Sequence, residues 1–340
     1  MTDLFLQTAV LLETNYVFIL PVLAVIALTF TNKRAVFLMA LLATVLLIGP
    51  LKLLHQEDRP CEYMQSIVLC DGTFGFPSGH ASTAFVLALG TLGTYAFFFF
   101  MPLALFIAYT RMYLVVHTLT QVTAGIGLGA LVFAIVDSLW QARMGKEEKK
   151  RVLKRKEWKR QAFHAAFGIA VIALVFVLEW ETVLLLLIAG LFFGGITLNA
   201  SMLKINTSII DRLVHLFERK SAPFPGKGAF YYLTGVLVLL TFSRTLEFGL
   251  AGIAILAIAD ALSTLIGIHL GKHALAWNPS KSREGLIAFF VSGTVVAFPF
   301  IGITSLLFAI VLAFVETIDF HLDDNLLISV AAVVLSFLLA

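Results

Sequence analysis

Apolar stretches long enough to cross a bilayer recur along the whole chain and leave little room for another architecture. They lie near residues 15–31, 35–53, 79–100, 102–118 and 122–140, then near 162–178, 182–198, 229–243, 249–270, 286–299, 301–315 and 326–340. A span needs roughly 20 residues of helix, and only a helix or a closed barrel satisfies its own backbone in lipid. Of 340 residues, 60% are hydrophobic and 13% charged, where a soluble domain is nearer about 25% charged. The pattern predicts an all-α polytopic membrane protein, with about twelve transmembrane helices in two helical bundles. Segment 286–315 reads either as one broken helix or as two short spans. The opening MTDLFLQTAVLLETNY lacks a basic n-region and carries Asp3 and Glu13, so it is not read as a cleaved signal peptide.

Charge distribution sets the expected sidedness. RMGKEEKKRVLKRKEWKR, residues 143–160, holds ten Lys or Arg against three Glu. It reads as a basic cytoplasmic linker between residues 1–142 and 161–340. Counting back places Lys33 and Arg34 inside, and the 51–78 loop and residues 111–121 outside. Counting forward places 199–228, 271–285 and 316–325 inside. The first two of these carry Lys204, Arg212, Arg219, Lys220, Lys227, Lys272, Lys281 and Arg283. Trp140, Trp158 and Trp180 fall near the expected interfaces. The location is an integral multi-pass one, in the plasma membrane of a prokaryote or the endoplasmic reticulum of a eukaryote. No nucleic-acid partner is expected, and the oligomeric state is not legible. Cys61 and Cys70 share one polar loop, and either a disulfide or two free thiols fits them.

In the first half, three clusters stand at span ends on the expected outer side. They are KLLHQEDRP (Lys52 to Pro60), PSGH (Pro77 to His80) and TRMYLVVHTLTQ (residues 110–121). Together they supply Lys52, Arg59, Arg111, the imidazoles of His80 and His117 and a helix start at Ser78 and Gly79, whose N–H groups suit an anion. That inventory fits phosphoryl transfer, where a protein mainly positions and neutralises phosphate oxygens. Over roughly residues 30–140 the sequence resembles the PAP2 phosphatases, the lipid phosphate phosphatases, whose pattern is KxxxxxxRP, PSGH and SRxxxxxHxxxD. The resemblance implies that His117 is the nucleophile forming a phosphohistidine and His80 the general acid. Lys52, Arg59, Ser78, Gly79 and Arg111 would hold phosphate, with no metal. Thr110 replaces the motif's Ser, and Gln121 replaces its Asp. A carboxylate there would fix the imidazole tautomer and stabilise its cation. A Gln oxygen accepts the same bond but brings no charge, so the resemblance admits both an active phosphatase and an impaired, lipid-binding module.

In the second half, Asp260 lies inside LAGIAILAIADALSTLIGIHLGKH, and an intramembrane carboxylate marks a functional candidate. GKHALAWNPSKSREG and the acidic ETIDFHLDDN, with Glu316, Asp319, Asp323 and Asp324, follow it. No Walker-type phosphate loop occurs. Arg160 and His164, Asp260 with Gly267, Gly271 and Lys272, the run Lys281 to Gly285, and Asp323-Asp324-Asn325 resemble the CTP-dependent lipid kinases. That family includes dolichol kinase, phytol kinase and yeast-type diacylglycerol kinase. The resemblance implies CTP as donor and Mg²⁺ as cofactor. Arg160, His164, Gly267, Gly271, Lys272, Lys281, Glu284 and Gly285 would bind nucleotide. Asp260, Asp323 and Asp324 would hold metal, with Asp260 as base or ligand. Gln161 stands where the family has Lys.

The expected function is a fused enzyme acting on membrane lipids. Its outer site would dephosphorylate a lipid phosphate or diphosphate. Its inner site would phosphorylate a lipid alcohol, with polyprenol or dolichol ahead of diacylglycerol. A kinase with an impaired PAP2 module, and a transporter whose buried Asp, His and Arg line a solute path, are the rivals.

Overall fold

The computed structural model describes residues 2–70, 72–144, 154–205 and 226–340. Residues 145–153 of the basic linker, and Arg212, Arg219 and Lys220 of the 199–228 loop, lie outside the described residues. The described chain is nearly all helical, and its one β pairing is an isolated bridge between Ala274 and Ser282. It divides into unit 1, Met1–Trp140 with Ile188–Asn206, and unit 2, Gln141–Leu187 with Thr207–Ala340.

Unit 1 contains α1 (Thr2–Phe30), α2 (Arg34–His55), α3 (Gly79–Gly90), α4 (Phe97–Tyr113) and α5 (Leu119–Arg143), and receives the end of α7 (Trp180–Met202). Helix α3 is its axis: every residue from Ala81 to Gly90 is buried. It packs on α1, α2 and α4. Gly125 and Gly129, one turn apart on α5, let that helix reach α3. A Cβ on either would stand 2.4 Å from the carbonyl oxygen of Ser78 or Ser82. The outward faces of α1 and α2 expose Phe18, Leu42 and Leu46, a surface suited to lipid rather than water.

Two boundaries differ from the expectation. The run 79–100 is not one span, because α3 stops at Gly90 and α4 starts at Phe97. Between them Gly93 adopts φ +84°, and the Thr91 and Thr94 hydroxyls donate to the carbonyls of Ala88 and Thr91 at 2.8 and 2.7 Å. The phenylalanine run therefore opens the next helix. That helix ends at Tyr113, and residues 114–118 form a loop.

Unit 2 is built from α6 (Lys154–Val177), α8 (Lys227–Phe242), α9 (Leu246–Ala254), a π turn (Ile255–Ala259), α10 (Asp260–Leu270), α11 (Arg283–Ile301), α12 (Ser305–Thr317) and α13 (Asp324–Leu339). Helix α9, the π turn and α10 form one rod, and α8 and α9 are buried almost throughout. The segment 286–315 is two helices. Gly302, at φ +54°, turns the chain, and Gly293 faces Ala309 across the resulting hairpin. Of about twelve expected crossings, seven described helical runs are long and apolar enough to span, with Arg283–Thr317 counted as one run despite its turn at Gly302. Four more are apolar but of 10–17 residues.

Candidate functional site

In unit 1 the three clusters converge. Helix α2 ends where Gln56 turns left-handed (φ 49°), which releases the chain just beyond Lys52. Lys52 then donates to the Thr73 hydroxyl at 3.2 Å and the Phe74 carbonyl at 2.5 Å. Arg59 donates to the Thr73 carbonyl and hydroxyl, both at 2.8 Å. The Gly75 N–H donates to the Glu57 carbonyl at 2.6 Å, and a Cys61–Cys70 disulfide closes the same loop. Ser78 caps α3, yet its buried hydroxyl has no hydrogen-bond partner among the described residues.

Arg111, fully buried near the end of α4, ion-pairs with Glu13 of α1. The same carboxylate lies 3.9 Å from His80 Nε2. Tyr16, one turn along α1, stacks on the His80 ring at 3.9 Å between centroids and donates to the His80 carbonyl at 3.2 Å. Val115, a β-branched residue at φ +60°, makes the sharp turn that delivers His117.

The surroundings of Gln121 determine the state of His117. Residues 118–121 form a capping box at the start of α5. The Gln121 N–H donates to the Thr118 hydroxyl at 3.1 Å, and the Thr118 N–H donates to Gln121 Oε1 at 3.3 Å. Oε1 also lies 3.0 Å from His117 Nδ1. Gln121 Nε2 donates to Glu57 Oε1 and to the Asp58 carbonyl, both at 2.8 Å. Both amide ends are thus saturated. With two acceptors on its nitrogen, the amide can only turn its oxygen to His117. The Nδ1 must therefore carry a proton, which leaves the Nε2 lone pair free. Burial, then the nearby Arg59 charge, holds the His117 imidazole well below its ordinary range, so it is neutral.

Unit 2 gathers a second set. Asp260 follows the π turn directly, a helical irregularity frequent at functional sites. Carboxylate oxygens of Asp260, Glu316 and Asp324 lie within 4.8 Å of one another. Lys281 pairs with Glu316, and with Asp324 at 3.4 Å. Asp260 Oδ1 is buried with no hydrogen-bond partner among the described residues. That open valence and the oxygen donor set fit a hard divalent cation.

A cavity of about 320 Å³ opens beside the cluster. Arg160, Gly267, Gly271, Lys272, Lys281, Gly285, Glu316 and Asp324 all contribute to its wall. Ser282 caps α11, its hydroxyl accepting from the Gly285 N–H at 3.1 Å, and a Cβ on Gly271 would stand 2.8 Å from that hydroxyl.

Three expected residues are not among those that line the cavity or form the carboxylate cluster. Asp323 caps α13, accepting from the Asn325 N–H at 3.1 Å and its side-chain nitrogen at 2.7 Å. Glu284 takes His273 at 2.6 Å. His164 stacks on Tyr232. Nothing in the sequence marked Glu13, Tyr16 or Glu57 for the site, and Glu316 stood out only as a member of the acidic ETIDFHLDDN stretch. The T-x-x-Q capping signal was a usable clue to the geometry at residue 121.

Comparison with known proteins gives a family for the region that holds the first cluster. The PAP2 superfamily model matches residues 34–144. An uncharacterized protein of Methanocaldococcus jannaschii is 30% identical over 169 residues, 49% of this chain and 85% of that protein, and the chain belongs to its family. No solved structure matches.

Proposed function

We propose, from the premise that residues 34–144 are a PAP2 superfamily domain, that unit 1 hydrolyses a lipid phosphate or diphosphate through a phosphohistidine. The observation that carries this is the fixed imidazole, protonated at Nδ1 and held by Gln121. In the first step, His117 Nε2 bonds to phosphorus as the bond to the leaving oxygen breaks, and His80 gives that oxygen its proton. In the second, water attacks the phosphohistidine, His80 takes the water's proton, and inorganic phosphate departs. Lys52, Arg59, Arg111, the Ser78 hydroxyl and the α3 N–H groups neutralise the phosphate oxygens. Phosphate release from polyprenyl diphosphate by the purified protein, lost in His117→Ala, is the expected result. No release by the wild-type protein would favour a lipid-binding PAP2 module instead.

For unit 2 we propose CTP-dependent phosphorylation of a lipid alcohol, polyprenol or dolichol before diacylglycerol. Support comes from the cavity that joins Arg160, Lys272 and Lys281 to the Asp260 cluster. Asp260, Glu316 and Asp324 would hold Mg²⁺, which when bound offsets phosphate charge. Lys272 and Arg160 would meet the nucleotide phosphates, and the lipid hydroxyl would take the γ-phosphoryl group as CDP leaves and the hydroxyl proton passes to water. Label passing from CTP, but not ATP, to a lipid alcohol is the expected result; a transporter would pass none.

The two sites would work on opposite membrane faces, the PAP2 site outside and the kinase site in the cytoplasm. A paired Cys61–Cys70 suits an oxidising outer face. Cysteine accessibility placing His80 and Ser282 on one face would end that arrangement.

A further inference from the structure

We propose that Glu57 supplies, through Gln121, the negative charge that His117 needs at its Nδ1 side. The inference rests on the phosphohistidine reading above. The chain of bonds is continuous. His117 Nδ1–H donates to Gln121 Oε1 at 3.0 Å, and Gln121 Nε2–H donates to Glu57 Oε1 at 2.8 Å. The two positions divide the work by burial. Gln121 is fully buried, whereas Glu57 stands at the exposed rim. A carboxylate is costly to bury and cheap to keep at an edge wet by solvent. A neutral amide can occupy the buried place and pass the polarisation on, because hydrogen bonds in series strengthen one another.

The charge matters when His117 Nε2 bonds to phosphorus, because the ring then becomes cationic with its Nδ1 proton still in place. Electron density drawn from the Gln121 oxygen is replenished by the carboxylate on its nitrogen. The phosphorylated ring is stabilised more than the neutral one, and kcat rises. No proton need leave Nδ1.

Two local features hold the relay. The Glu57 carbonyl is pinned by the Gly75 N–H, and a Cβ on Gly75 would stand 2.5 Å from the Gln121 amide. Gly75 thus gives the amide room. The capping box fixes the amide from the other side.

The test is steady-state phosphate release from polyprenyl phosphate by the full-length protein in detergent. Glu57→Gln keeps a hydrogen-bond acceptor but removes the charge. We expect kcat to fall about 10- to 100-fold, the scale seen when the outer partner of a metal-bound histidine is removed, with KM little changed. Combining Glu57→Gln with Gln121→Glu returns the charge one residue nearer the ring, and we expect it to recover at least about tenfold of that loss. An unchanged kcat in Glu57→Gln overturns the relay while leaving the phosphatase intact. So does a double variant that, folded by its melting curve, is no better than the single one. If the wild-type protein shows no His117-dependent release, the phosphatase reading and the relay fall together.

Discussion

The two units gather side chains of opposite charge at their candidate sites. Around His117 stand Lys52, Arg59 and Arg111, and the carboxylates nearby are tied to protein groups, Glu13 to Arg111 and Glu57 to Gln121. Around Asp260 stand Glu316 and Asp324, with Lys281 as their partner. A nucleophilic histidine needs the substrate's phosphate held directly by cations, because the charge to be neutralised belongs to the substrate. A carboxylate cluster repels phosphate unless a divalent cation stands between them. The sign of the site therefore separates the two proposed chemistries more sharply than either motif does.

The largest expected effect tests that separation. Asp260→Asn, or excess chelator, should abolish label transfer from CTP while leaving phosphate release intact, as assays on one preparation would show. If chelator stops both, the two sites do not differ in the way their charges imply.

Arg111 and Glu13 come next. Arg111→Ala leaves a largely buried carboxylate without its cation, and breaking such a pair costs about 3–5 kcal/mol. A clearly lower melting temperature is expected, with a smaller drop for Glu13→Gln. Equal melting curves would mean that Arg111 serves substrate alone.

A pH profile of phosphate release sharpens the unit 1 side. Partial burial, followed by the neighbouring Asp58 charge, raises the Glu57 carboxyl above its ordinary value, while His117 is lowered. The groups facing them are Asp58, Lys52, Arg59 and His80. As pH falls, protonation of Glu57 removes the relay's charge and protonation of His117 removes the nucleophile, so kcat declines. In Glu57→Gln the Glu57 contribution should vanish and the acid limb should shift. An unshifted limb would assign it to another group.

The smallest effect concerns Asp323. As a helix cap, Asp323→Ala should cost about 1 kcal/mol of stability, and label transfer should survive. Asp324→Ala should instead lose transfer. Loss of transfer in Asp323→Ala would return that residue to the cluster.

Much of this was legible in the sequence. The apolar runs announced the helices, and the PSGH and KSREG stretches marked the two places where polar groups gather. What stayed hidden was pairing over distance. Glu13 and Arg111 are 98 positions apart in the chain, and Glu57 and Gln121 are 64 apart, with no periodicity to link either pair. Asp323 and Asp324 read alike as neighbours. Asp323, however, is the extended cap residue of α13 and turns its carboxylate to Asn325, whereas Asp324 opens the helix and joins Asp260 and Glu316. The split of the 79–100 run was marked by Gly90 and Gly93, which an apolar count ignores.

The most direct test of a His117-dependent phosphatase is phosphate release from a lipid phosphate in the presence of chelator, wild type against His117→Ala. The geometry predicts chelator-insensitive turnover that falls to background in the variant. Turnover that survives His117→Ala, or a wild-type protein that releases none, would contradict it.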